Sequence, residues 1–350
     1  MTFPGSNTNS WRPRPLYLFA ALVAFALAAL VVAAHSSASN NRVGGVRAEI
    51  KHGTLNVKGG DGGQQVALRL KAGDSSRIQV DAGDDGSADF SFARGDVHAI
   101  NVKMGDGNDS ARIDDANGAF TDSIPTTIAG GDGNDSLQGG QTQVAAENET
   151  FNGGDGNDTV DGGKGNDTAN LGDGNDTFRW DNGEGSDVIE GQDGTDTMLF
   201  NGAGVAENVT MTANGRRLNF FRVQGNVTMN TNGVEIVDDN ALGGADSVTV
   251  NDLTGTDVTQ TNIDLASALG GTAADGAVDS VVVNGTNGDD NIAINGNGSG
   301  ADVTGLATAV SVKHADPTDT LSVNTLAGTD NVVANGVAGV LQVLVDGASV

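Results

Sequence analysis

Cysteine is absent from all 350 residues. That excludes a disulfide framework, a thiol nucleophile and any zinc site built on thiolates. Aromatic residues make up only 4% of the chain, too few for a core dominated by large rings. Basic residues are scarce too. The 18 Lys and Arg face 46 Asp and Glu, so the formal charge is 18 − 46 = −28. Such a chain is repelled by phosphate backbones and anionic lipid, which excludes nucleic acid as a partner and disfavours an acidic membrane surface. It attracts cations. No GxSxG or HExxH occurs, and the four histidines, His35, His52, His98 and His314, are scattered. No nucleophile–base pair or histidine metal site is marked.

Glycine and aspartate are what the chain has in abundance. Glycine numbers 53, and only 7 of the 46 acids are Glu, which leaves 46 − 7 = 39 Asp. Gly-rich acidic chains are commonly disordered. Against disorder stand many short Val/Ile alternations, such as SVTV at 247–250 and SVVVNG at 280–285, which have the period of half-buried strands. The class this implies is all-β.

A nine-residue phrase, G-G-x-G-x-D-x-U-x with U apolar, organises the middle of the chain. Units 153–161, 162–170 and 171–179 place Asp158, Asp167 and Asp176 sixth. Trp180 and Asp181 intervene; units 182–190 and 191–199 then carry Asp187 and Asp196. Two isolated copies precede the block, at 104–112 with Asp109 and at 130–138 with Asp135. Glycines at places one, two and four permit positive φ and a sharp turn. The residues after the Asp form a very short strand with one inward apolar side chain, which only stacked units can bury. Two units per coil place Asp158 under Asp176. A bulge at Trp180-Asp181 pairs Asp167 with Asp187 and Asp176 with Asp196. Carboxylates stacked at the ~5 Å strand spacing repel by about 3 kcal/mol per pair, so a cation is expected between them. Calcium suits carboxylates and exposed carbonyls at flexible geometry; magnesium, with its stricter octahedron, fits less well.

These units resemble the RTX, or hemolysin-type, calcium-binding repeats. The resemblance implies a parallel β-roll with two nonapeptides per turn and several Ca2+ ions between successive loops. Carried over by position, it implies Asp158, Asp167, Asp176, Asp187 and Asp196 as ligands, with Asp135 and Asp109 less well placed for want of an in-phase neighbour. Gly153, Gly156, Gly162, Gly165 and Gly174 would form the loops and lend carbonyls. Leu171 and Asn182 depart from the motif at place one.

The expected organisation has five parts. Residues 1–40 are an export signal or membrane anchor. Residues 41–129 are a short-strand, β-helix-like region, and 130–200 are the calcium-binding roll. Residues 201–240 are a hairpin insertion or linker, with a hairpin near 208–238 whose turn lies at Ala213-Asn214-Gly215. Residues 241–350 are degenerate parallel β-helix, with one worn loop at 285–292 that offers Asp289 or Asp290. In the first part, Arg12 and Arg14 precede an uncharged, mostly apolar stretch, Leu16 to Ala34, ending in a small-x-small site at Val32-Ala33-Ala34. It reads as a cleaved signal or, at roughly 28 Å of helix, a retained anchor. Either way the rest of the chain is exported. The expected function is a secreted, non-catalytic calcium-binding protein with a surface, structural or adhesive role. Its partners would be calcium ions and a cell-surface or matrix polymer. The competing reading is a calcium-dependent β-helix polysaccharide lyase or epimerase, with Arg69, Lys71, Arg77 or Arg112 lining a groove.

Overall fold

The computed structural model describes residues 42–142 and 148–350. The expected export segment, 16–34, lies outside them. Among the described residues no helix is long and apolar enough to cross a membrane. They form two long sheets of fifteen and fourteen strands. Each coil gives one short strand to the first sheet, turns, gives one to the second and turns back. Neighbours contributed by successive coils are therefore parallel; Arg47–Lys51, Asp74–Ala82, Phe90–Ala93 and Ala348–Ser349 instead pair antiparallel at the sheet ends. In the first sheet Thr126–Asp132, Glu149–Asp155, Thr168–Gly174 and Val188–Gly194 lie side by side. In the second, Ser136–Gln138, Thr159–Asp161, Thr177–Trp180 and Thr197–Asn201 do the same. The all-β parallel solenoid expected from the repeats is what forms.

Alternate side chains point inward, and coils stack like on like. Leu137, Val160, Phe178 and Met198 make one buried column. The apolar core runs continuously from Val46 to Val343. A single coil buries only a few side chains, so stability comes from the stack. Trp180 corrects the expected bulge. It extends the strand Thr177–Trp180 by one inward position, in register with Phe200, and the two rings stack with centroids 4.0 Å apart. Its indole N–H donates to the Gly185 carbonyl at 2.9 Å. The ladder stays in phase because the added residues lengthen a strand and its turn.

The expected hairpin pairs Asn208–Asn214 with Arg217–Arg222, and Val227–Asn232 returns beside it. This meander is set into the first sheet, between Val188–Gly194 and Ser247–Val250. The second sheet runs past it unbroken, through Thr197–Asn201, Ile236–Asn240 and Gln260–Asp264. A second meander, Asn291–Gly296, Ala301–Thr304 and Ala309–Lys313, widens the second sheet in the same way.

Candidate metal centre

The two turns of each coil build two corners. At the corner leading from the first sheet to the second, the sixth-place acids stand one above another: Asp109, Asp135, Asp158, Asp176 and Asp196, closed by Glu235. Each backbone N–H donates to the carboxylate of the next coil. The distances are 2.8 Å from Asp109 to Asp135, 2.8 Å from Asp135 to Asp158 and 2.7 Å from Asp158 to Asp176. Asp176 reaches Asp196 at 2.9 Å, and Asp196 reaches Glu235 at 2.8 Å. The opposite corner repeats the pattern, Glu149 to Asp167 at 2.7 Å and Asp167 to Asp187 at 2.8 Å. Asp109 and Asp135 thus have the in-phase neighbours they were expected to lack. Their sequence steps of 26 and 23 residues each span one coil, because longer turns at the far corner absorb the excess.

Each of these aspartates spends one oxygen on the ladder. The other oxygen, Oδ2, is buried and accepts no hydrogen bond in Asp109, Asp135, Asp158, Asp167, Asp176 and Asp196. Both oxygens of Glu149 are in the same condition. Asp187 is equally buried. An unsatisfied buried polar atom is costly, and more so when charged. Burial, reinforced by the neighbouring carboxylates, pushes Asp158 and Asp187 up to about 7 and Asp135 and Asp196 up to about 6. Burial also raises Asp109 and Asp176. It raises Asp167 and Glu149 too, with the charges of Asp187 and Glu149 adding to the displacement of Asp167. A row of such groups holds protons or a cation.

The glycines play two roles, not one. Gly156, Gly165 and Gly174, at place four, take φ of 126°, 128° and 146°, as a sharp turn needs. Gly153 and Gly162, at place one, do not require that freedom. They leave room: a Cβ on Gly162 would lie 2.7 Å from Asp167 Oδ2, and one on Gly153 would strike Asp158 Oδ2 and the Leu171 carbonyl. Turn carbonyls point at the next coil, so that a Cβ on Gly174 would strike the Gly156 oxygen and one on Gly185 the Gly165 oxygen. Between successive turns lies a cradle of carbonyl and free carboxylate oxygens that any side chain would fill. An all-oxygen donor set without nitrogen or sulfur fits calcium. The sixth-place acids, with these carbonyls, would hold it.

Glu149 and Glu235 share the ladder without being anticipated. The signal for Glu149 is present: Glu149-Thr-Phe repeats Asp176-Thr-Phe, an acid followed by a hydroxyl residue and an inward apolar residue. The worn loop at 285–292 does not open a cradle, since Asp290 accepts from Thr286 N–H at 2.8 Å and Thr286 Oγ1 at 2.9 Å. Asp161, Asp181 and Glu184 bring carboxylate oxygens within 4.8 Å of one another, but Arg179 already bonds Asp161 and lies 3.4 Å from Asp181. The basic residues expected to line a groove are also engaged. Arg69 is buried on Asp81 at 2.9 Å, Arg112 holds Asp84 at 2.6 Å, and Arg77 bonds Ser91 at 2.8 Å. The register shifts between Leu70 and Lys71, and Lys71 lies 3.3 Å from Asp74.

Comparison with known proteins gives one match. The RTX calcium-binding nonapeptide repeat family matches four copies, over residues 126–141, 145–178 and 183–202. No curated protein and no solved structure matches the chain.

Proposed function

We propose that the RTX calcium-binding repeats of residues 126–202 serve an exported, non-catalytic protein whose β-roll is completed by extracellular calcium and whose role is structural or adhesive at a surface. The observation that carries this reading is the column of buried, unpartnered Oδ2 atoms running from Asp109 to Asp196. A chain of charge −28 repels itself where calcium is scarce. Where calcium is plentiful, Asp158, Asp167, Asp176 and their neighbours keep their charge, and binding free energy becomes folding free energy. Extracellular calcium modules commonly bind at about 10⁻⁴–10⁻³ M. That range matches a switch between the inside and the outside of a cell.

The test is circular dichroism of the full chain during a calcium titration, with magnesium alone as control and Asp176→Ala beside it. A calcium-specific gain of β signal or of thermal stability, weakened in the variant, is expected. Equal responses to calcium and magnesium, or none to either, would overturn the reading.

A further inference from the structure

Downstream of the meander, the acids continue without the cations. Residues 233–350 hold 16 Asp and Glu but a single basic residue, Lys313. The net charge there is 1 − 16 = −15, in a stretch beyond the matched repeats. At the corner leading back to the first sheet, the carboxylate ladder resumes. Glu207 N–H donates to Asp246 at 2.7 Å, Asp246 N–H to Asp279 at 2.8 Å, and Asp279 N–H to Asp319 at 2.9 Å. The turn 241–246 takes positive φ at Leu242 and Gly244, 69° and 127°, the places that Gly154 and Gly156 occupy in the repeat 153–158.

One residue in this region has no counterpart in the repeats. Asp239 lies in an inward column of the second sheet, Trp180, Phe200, Asp239, Ile263 and Val312. It is 2% exposed, and its Oδ2 is buried without any hydrogen-bond partner. The charges that act on it are Glu207, Asp246 and Arg222. Arg222 is fully committed elsewhere. Its Nε donates to Glu207 at 2.6 Å, Nη1 to the Gln224 carbonyl at 2.9 Å and Nη2 to Asn182 at 3.0 Å, and its guanidinium sits 5.4 Å over the Trp180 ring. It neutralises Glu207 and supplies no hydrogen bond to Asp239. Asp246 is 4% exposed; among the described residues only Glu207 N–H reaches its carboxylate.

We propose that Asp239 and Asp246 bind one calcium ion at a site separate from the RTX repeats, with Asp279 positioning Asp246 through its N–H. Asp239 presents an unpartnered oxygen from inside the core, and Asp246 brings a second carboxylate from the adjoining turn. Oxygen-only donors, with the neighbouring Arg222 already bonded to Glu207 and no other basic side chain bonded to either acid among the described residues, favour a hard divalent cation. The site does not depend on the repeats binding calcium.

Calorimetric titration of the full chain with calcium chloride counts the ions. Asp246→Asn keeps an oxygen for the Glu207 N–H and removes the charge. Asp239→Leu replaces the core acid with a side chain like those above and below it. Each variant is expected to bind one ion fewer than wild type, whereas Asp158→Asn with Asp176→Asn loses ions from the repeats and keeps this one. Asp239→Leu also gains thermal stability in metal-free buffer, and calcium raises its midpoint less than that of wild type. If Asp239 is only a protonated core acid, Asp239→Leu keeps the full ion count and the full calcium response, and the proposal is overturned. If Asp246→Asn misfolds, Asp239→Leu still decides. Magnesium filling the site as well as calcium would overturn the choice of metal. An unchanged count in the repeat double variant would instead sink the reading of the repeats and leave this site standing.

Discussion

In the absence of a cation the buried column has to hold its charge down with protons, and this gives the metal-free roll an unusual pH dependence. Asp158 moves from 3.8 to about 7 on folding. Between those values the folded chain keeps a proton that the unfolded chain has lost, so stability falls as pH rises through the window. Asp187 acts over the same range, Asp135 and Asp196 between 3.8 and about 6. At 1.36 kcal/mol per pH unit these four carboxylates together come to about 15 kcal/mol, and solvent screening at the turns brings this to about 7 kcal/mol. A typical domain has only about 5–15 kcal/mol in total. The metal-free roll is therefore expected to be folded near pH 5 and largely open near pH 8. With calcium bound, the same carboxylates are ionised in the folded state and protons compete with the ion. The trend then inverts, and stability rises with pH. Thermal unfolding of the full chain by far-UV circular dichroism, at both pH values with and without calcium, reads both slopes. A metal-free midpoint that stays level or climbs from pH 5 to pH 8 would refute the reasoning.

Calcium binding near pH 6 should release protons, because Asp158 and Asp187 give theirs up; calorimetry in buffers of different ionisation enthalpy measures the number. Asp158→Asn keeps the ladder acceptor but halves the charge between two coils, and should raise the calcium concentration at half-folding about tenfold, or ~1.4 kcal/mol. Gly162→Ala places a methyl 2.7 Å from Asp167 Oδ2, so its calcium titration should lose the ion at that cradle. Trp180→Ala empties a fully buried, stacked position and should cost about 3–5 kcal/mol of stability at saturating calcium, seen as a lower unfolding midpoint.

The part of the site visible in the sequence is the part with a constant period. Asp158, Asp167, Asp176, Asp187 and Asp196 sit at steps of 18 or 20 residues, and their columns follow from counting. Asp109 and Asp135 obey the same ladder, but the ladder counts coils, not residues, and nothing local reports the length of a far turn. Trp180 arrives with two added residues, which hide it in the count of nines, but the alternation of Thr-Phe-Arg-Trp points its indole inward. The hairpin after residue 208 announced itself through Asn214-Gly215. The meander at 291–313 has Gly-rich turns that read equally well as worn coils. Asp239 is the hardest case. In Ile236-Val-Asp-Asp-Asn the alternation places Val237 and Asp239 inward, yet no composition rule expects an acid in the column of Phe200 and Ile263.

The carboxylate ladder also has a direction. Each sixth-place N–H in the column finds a carboxylate on the coil that follows, Asp135 on Asp158 and Asp158 on Asp176, while the N–H one place earlier finds an Asn oxygen on the coil before, Asn157 on Asn134 and Asn175 on Asn157. A chain delivered from its N-terminus therefore cannot finish a coil until the next has arrived. Each coil waits, with one donor open to water, for its successor to close it. Removing coils from the C-terminal end strips the carboxylate from the sixth-place N–H of the coil left behind, while removing them from the N-terminal end strips the Asn oxygen from its fifth-place N–H. Each coil is clasped from both sides, and the two ends of the solenoid leave different donors open: one wants a charged acceptor, the other a neutral amide.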